Sequence, residues 1–233
     1  MNISLVSIAF NGYGRWIPQF LAFYSAMTPK PKEVVIVLGK NHGCKDLGTL
    51  KDWYPEVQFY EYKKEATFGK LRNIGISKTS MEWTWFVSID DKVMPDAIRT
   101  FKRARKPADY ICSQWYTIGI GEPLEPHTSP LPIEMAELLR NGEKGGFIVP
   151  HSPFKRTLWE QHPYKNTDLP NYDFLLHCVL NGASFVKADK PTTTYLRRND
   201  SHARTTLKNI KSRANKEKRK MQQGILEYYG ASD

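Results

Sequence analysis

Residues Trp83–Pro95 read WTWFVSIDDKVMP. Trp83–Ile89 is a short aromatic and β-branched run, cut off sharply by Asp90-Asp91, and reads as a strand ended by a polar turn. Three similar runs precede it. Ile3–Phe10 (ISLVSIAF) ends in Asn11-Gly12, Glu33–Leu38 (EVVIVL) is nearly all β-branched, and Val57–Tyr62 is a weaker third. Between them, Arg15–Met27 and Lys70–Ser80 have helical spacing, with Pro18 tolerable in a first turn. Strands alternating with helices predict βαβ units and a mostly parallel sheet. Strands apolar on both faces agree, because helices cover such sheets on both sides.

Beyond this half the pattern changes. Thr117–Pro132 (TIGIGEPLEPHTSPLP) is rich in Pro and Gly and predicts a long loop over a site. Pro153–His162 and Tyr172–Asn181 read as helices, the second stopped by Gly182. Ser184–Ala188 and Thr192–Leu196 read as short strands. In Thr205–Tyr229, Leu207, Ile210, Ala214, Met221, Ile225 and Tyr228 recur at helical spacing. The expectation is one α/β domain over residues 1–204 and a basic helix over 205–233.

The chain has 233 residues, 40% of them hydrophobic and 25% charged, which excludes a wholly disordered protein. Cys44, Cys112 and Cys178 stand far apart, against a disulfide scaffold or zinc finger and in keeping with a reducing compartment. No run reaches the roughly 20 apolar residues of a membrane span, and the N-terminus lacks a basic leader. These features predict a cytoplasmic protein, with a phage origin or a peripheral place on a membrane surface as variants. The net charge is +10. Residues 197–220 hold ten basic residues against Asp200 and Glu217, a local charge of +8 that leaves +2 for the rest. Such a stripe attracts polyanions, or only keeps a helix solvated.

Ligands of open parallel sheets sit at the carboxyl ends of strands. Asn11, the Lys40–Cys44 stretch and Asp90-Asp91 all fall there. Adjacent carboxylates suit Mg²⁺ or Mn²⁺ shared with substrate phosphates, although Asp91 also suits a helix N-cap. Gly12-x-Gly14 lacks the third glycine of a dinucleotide fingerprint, and no Walker A sequence is present. His42 with Cys44 reads as a loop, and His127, His151 and His162 carry no assignment. Trp83, Trp85 and Phe86 read as core, whereas Trp115 and Tyr116 are candidates to stack on an acceptor.

Phe68–Ile76 (FGKLRNIGI) followed by Trp83–Pro95 resembles the central signature of inverting GT-A glycosyltransferases of family 2, an Arg-Asn-x-Gly helix before a strand ending in an Asp-rich motif. Phe10-Asn11-Gly12, Tyr172–Val186, Pro191–Tyr195 and Arg197–Ser201 are similar to the family's opening and closing sections. The resemblance spans residues 1–204. It implies a GT-A fold, Rossmann-like, with a mostly parallel sheet flanked by helices, to which the basic C-terminal helix is appended. Residues 1–100 would bind the nucleotide sugar and 101–204 the acceptor.

The implied activity is transfer of a sugar from a nucleotide-sugar donor, a UDP-sugar, to an acceptor hydroxyl with inversion. The resemblance gives Arg72 to the diphosphate, Asp90 to a Mn²⁺ or Mg²⁺ ion, and Asp91 to the ion or the sugar. Asn11 would lie against the base, with Phe10, Lys70, Asn73 and Ser88 also lining the donor site. Arg197, Arg198 and His202 would close over the phosphates. Three positions depart from the family. Ser88 replaces the first Asp of Asp-x-Asp, Gly39-Lys40 follows the second strand where an Asp is usual, and Pro170-Asn171 stands where the family has Glu-Asp. The base that removes the acceptor's proton is therefore expected at Asp173 or Asp168. The acceptor is expected to be a glycan, a lipid-linked sugar, or nucleic acid, as in phage-type hydroxylated DNA bases. A non-catalytic binding module with a nucleic-acid-binding tail is the rival reading.

Overall fold

A computed structural model describes residues 1–105, 107–119, 124–143, 151–167, 170–196 and 202–230, with side chains at all of these except 125 and 202–214. The first half alternates strand and helix. It runs β1 (Ile3–Ala9), α1 (Ile17–Ser25), β2 (Glu33–Leu38), α2 (Leu47–Trp53), β3 (Val57–Glu61), α3 (Phe68–Ser77) and β4 (Trp83–Phe86). Then come β5 (Lys92–Val93), α4 (Ala97–Ala104), β6 (Tyr110–Ile118), β7 (Glu125–Thr128), α5 (Pro132–Arg140), β8 (Phe154–Lys155), α6 (Arg156–Gln161), α7 (Pro170–Leu180), β9 (Phe185–Leu196) and α8 (His202–Gly230).

The strands form one sheet in the order β3-β2-β1-β4-β8-β6-β9-β5, with β7 on β6. β1 pairs parallel with β2 and β4, and β2 with β3. The two-sided alternation of β1 explains the layers. Ile3, Leu5 and Ala9 face a core completed by Phe20 and Leu21 of α1 and Phe101 of α4. Val6, Ile8 and Phe10 face a second core with Leu71 of α3, Met135 of α5, Phe174 of α7, and Met221 and Ile225 of α8. Helices therefore cover both faces, as doubly apolar strands require.

The sheet is mostly parallel as expected, with β9 pairing parallel to β6, and it is mixed because β8 runs antiparallel to β4 and β6, β5 to β9 and β7 to β6. Four local expectations need correction. The strand at 83 stops at Phe86, since Asp91 N–H bonds back to Ser88 O at 3.0 Å and turns the chain. The stretch expected as a long loop is in part sheet. β6 runs on to Ile118 and pairs antiparallel with β7, in register Trp115 with His127; residues 120–123 lie outside the described set. The two short strands near 184 and 192 are one strand, β9, bent by irregular register against β6 between Cys112 and Trp115. That irregularity lets Lys190-Pro191 pass without ending the strand. Residues 153–162 likewise open with β8 before α6 begins.

No helix among the described residues is long and apolar enough to cross a membrane.

Candidate active site

The carboxyl ends of β1 and β2 are laced together. Asn11 (φ 49°), Gly12 (φ 84°), Asn41 (φ 55°) and Gly43 (φ 73°) all take left-handed backbone. Gly12 N–H donates to Asn41 O at 2.7 Å and Gly14 N–H to His42 O at 2.6 Å. A Cβ on Gly14 would stand 2.6 Å from Cys44 N and His42 O, so only glycine permits this approach. Asn11 is exposed, and Phe10 beneath it meets Tyr13 and Phe68 ring to ring. Where the family usually has an Asp, Lys40 reaches Glu65 at 2.6 Å. Nearby, Tyr62, Glu65, Ala66, Thr67, Lys70 and Asn166 line an open groove of about 360 Å³.

Asp90 and Asp91 occupy the turn after β4 and differ sharply. Asp90 is half-buried. Asp91 is buried, its Oδ1 accepts from Leu196 N at 3.2 Å, and its Oδ2 lies 3.0 Å from His151 Nε2. That last contact is close but off the hydrogen-bond line, and Oδ2 has no hydrogen bond among the described residues. Ser88 Oγ is 3.4 Å from the same nitrogen. No three His, Cys, Asp or Glu side chains among the described residues converge as a metal cage. The fit to a divalent ion is therefore partial: Asp90, with Asp91 behind it, suits an ion that takes most of its shell from diphosphate oxygens and water.

Arg72 is enclosed. It is 1% exposed, with its guanidinium carbon 3.8 Å from the Phe86 ring centre, 4.3 Å from Phe68 and 5.2 Å from Tyr164. Nη1 donates to Asn171 Oδ1, and Nε finds no acceptor among the described residues. Burial drives its pKa down to about 10, against the pull of Tyr164 and Tyr110. Asn73 is also engaged, with Tyr164 and Trp159. Lys70 is exposed at the start of α3, where its N–H meets the Thr67 cap.

Asp173 sits in the first turn of α7. Its carboxylate meets His162 Nε2 at 2.8 Å and pairs with Lys165. Burial alone would raise its pKa, but hydrogen bonds from Lys165 and His162 outweigh that and hold it below the ordinary carboxylate range. The His162 ring stacks on His177 at 3.8 Å. Trp115 stacks on His127 at 5.3 Å across the β6–β7 pair, and Tyr116 beside it is half-buried. Asp168, Arg197 and Arg198 lie outside the described residues, as does the side chain of His202, whose backbone begins α8.

The structure thus brings Ser88, Asp90 and Asp91 onto one turn and joins Arg72 to Asn171. Sequence reading missed His151 as the partner of that turn. Nothing local marks it, because its contacts with that turn lie 60 or more positions away.

No protein-family model and no curated protein matches the chain. Solved structures do. S. aureus TarS residues 1–349 in complex with UDP-GlcNAc superposes with a TM-score of 0.66 at 14% identity, covering 98% of this chain and 71% of that one. The same fragment in complex with UDP gives 0.62 at 14% identity, covering 98% and 70%. The chain has the GT-A fold. A third TarS structure gives 0.60 at 15% identity, over 84% of this chain and 37% of that one. The fold implied by the sequence resemblance is therefore present, helix α8 included.

Proposed function

We propose that this GT-A chain is a glycosyltransferase that moves a sugar from a UDP-sugar to an acceptor hydroxyl, with inversion. One observation carries the reading. A turn bearing Asp90 and Asp91 closes β4, beside the β1 loop, in a chain whose fold is that of TarS, a protein crystallised with UDP-GlcNAc and with UDP. Asn11 and the groove by Lys70 would receive the nucleotide, and Asp90 would hold Mn²⁺ or Mg²⁺. A bound divalent ion supplies charge neutralisation at the departing diphosphate. Arg197, Arg198 and His202 are proposed to close over the phosphates, and Trp115 and Tyr116 to receive the acceptor. Asp173 or Asp168 takes the acceptor's proton. For Asp173 this requires the acceptor to displace Lys165.

Titration calorimetry with UDP-GlcNAc and UDP-glucose in Mn²⁺, paired with donor hydrolysis, tests the proposal. Binding by wild type and its loss in Asp90→Ala support it; no heat with either sugar nucleotide overturns it.

A second reading is favoured by the Arg72–Asn171 contact. An amide stands where the family's base belongs, which suits a binding module that has lost transfer. UDP-sugar binding without turnover against any acceptor would decide for it. The acceptor itself is separable by charge. Lys216, Arg219 and Lys220 are exposed on α8, whereas Met221 and Ile225 are buried. Deleting the helix would strip the core, so the test is a triple Gln variant at the three basic positions. Salt-steep duplex DNA binding, weakened in that variant, favours a nucleic-acid acceptor over a glycan or lipid.

A further inference from the structure

His151 holds three separate segments together. Its carbonyl accepts from Trp85 Nε1 at 2.7 Å and Ser113 Oγ at 3.0 Å, which fixes the residue beneath the sheet edge. The residue is 2% exposed. Nδ1 lies 3.4 Å from Thr193 Oγ1 on β9, and Nε2 faces both Ser88 Oγ at 3.4 Å and Asp91 Oδ2 at 3.0 Å. In the Nε2–H tautomer the proton is directed toward Ser88 Oγ, Asp91 Oδ2 lies in close charge contact with the same N–H off the hydrogen-bond line, and Thr193 donates to Nδ1. Ser88 and Asp91 are the two ends of one turn, closed by Asp91 N–H to Ser88 O. Asp90 lies between them. A single imidazole nitrogen therefore pins the turn on both sides of the half-buried carboxylate. Asp91 passes the restraint on to Leu196 N, the last residue of β9.

We propose that His151 is the positioning residue for Asp90: its Nε2 sets the Ser88–Asp91 turn so that the Asp90 carboxylate is held ready for a divalent ion and the diphosphate it accompanies. His151 touches neither ion nor substrate. A carboxylate on an unpinned turn must be ordered at the moment of binding, and that ordering weakens affinity. The inference rests on the reading of Asp90 given above, and extends it to a residue 61 positions away.

The test compares wild type, His151→Gln and His151→Leu. Gln retains an N–H donor at the end of a side chain of similar reach; Leu fills the space without one. Mn²⁺ affinity is read by EPR titration in the presence of UDP, without turnover. Amide hydrogen exchange across 88–91 and at Leu196 is read in the free protein. The expected result is a Mn²⁺ dissociation constant at least tenfold weaker in His151→Leu, near wild type in His151→Gln, with 88–91 exchanging faster only in the Leu variant. Equal Mn²⁺ affinity and equal exchange in all three proteins overturn the proposal. If wild type itself fails to bind Mn²⁺ with UDP, the glycosyltransferase reading fails; the exchange comparison then still decides the pinning, unchanged exchange overturning it. Should His151→Leu not fold, Ser88→Ala removes one of the two contacts. A threefold or greater loss of Mn²⁺ affinity with faster exchange at 88–91 then supports the pin, and no change in either overturns it.

Discussion

The side chain of Asn73 pairs with the backbone of Tyr164 as one strand pairs with another: Nδ2 donates to Tyr164 O at 2.8 Å and Oδ1 accepts from Tyr164 N at 3.0 Å. Trp159 Nε1 donates to the same oxygen at 2.8 Å. These bonds fasten the segment between α6 and α7 along α3. Replacing Asn73 by Leu removes three bonds and leaves buried polar groups behind. At roughly 1 kcal/mol for each bond, Asn73→Leu is expected to cost about 2–3 kcal/mol, seen as a drop of several degrees in Tm.

Gly69 meets the same segment backbone to backbone. Its N–H donates to Thr167 O at 2.9 Å, and a Cβ there would stand 1.9 Å from Lys165 O. The neighbour is a carbonyl that cannot rotate away. Gly69→Ala is expected to lower stability by about 3 kcal/mol, at the upper end of overpacking costs. Denaturant midpoints measure it, and an unchanged midpoint would show that the segment does not press on α3.

Arg72 is a buried cation enclosed by rings, with Asn171 in place of a carboxylate counter-ion among the described residues. A planar, weakly hydrated guanidinium suits such a cage, whereas a compact ammonium does not. Arg72→Lys is therefore expected to be more destabilising than Arg72→Met, which removes the charge and keeps the packing. Thermal melts of the two variants at neutral pH give the order; the reverse order refutes the cage.

Glu33 ties β2 to β1 and to the link between α3 and β4. It accepts from Ser4 Oγ at 2.6 Å, Ser80 Oγ at 2.5 Å and Ser80 N at 2.9 Å. Burial pushes its pKa up, but these bonds and one from the Met81 backbone outweigh it and bring it below 4.5. The unfolded chain therefore takes up this proton first as pH falls. The stabilisation is complete above about pH 4.5 and is lost as pH drops through the folded value. Glu33→Gln is expected to be less stable at pH 7 and to show a shallower decline between about pH 5 and 3. Urea midpoints across that range test it, and parallel slopes would contradict it.

Asp173 and Asp168 compete for one role. If Asp173 is the base, Asp173→Asn lowers kcat by about 10²-fold or more and leaves UDP affinity within about twofold. If Asp168 is the base, Asp168→Asn does so instead. Transfer kinetics beside UDP calorimetry separate the two.

Much of the first half was legible because its signals are local. The largely apolar runs at 3–9 and 33–38, rich in Val and Ile, read as buried strands, and Asn11-Gly12 marks the end of the first. The second half was harder. Glu125–Thr128 contains Pro and His and has no strand pattern, yet it pairs because β6 offers an edge. Lys190-Pro191 looked like a break, yet β9 passes through it where its register against β6 slips. Edges and register shifts are properties of a partner strand and are not written in the segment itself.

The sequence by itself determined which residues are chemically able to act: the carboxylates at 90 and 91, the Arg-Asn pair at 72 and 73, the basic stretch before residue 221. Residue type and short-range turn chemistry are enough for that. Tertiary structure alone decided what each one faces. It sealed Arg72 against Asn171, spent Asn73 on Tyr164, and buried Asp91 against His151 while leaving Asp90 half-exposed. Those contacts join residues 60 to 99 positions apart, with no pattern along the chain, and they exist only once the sheet has brought its strand ends together.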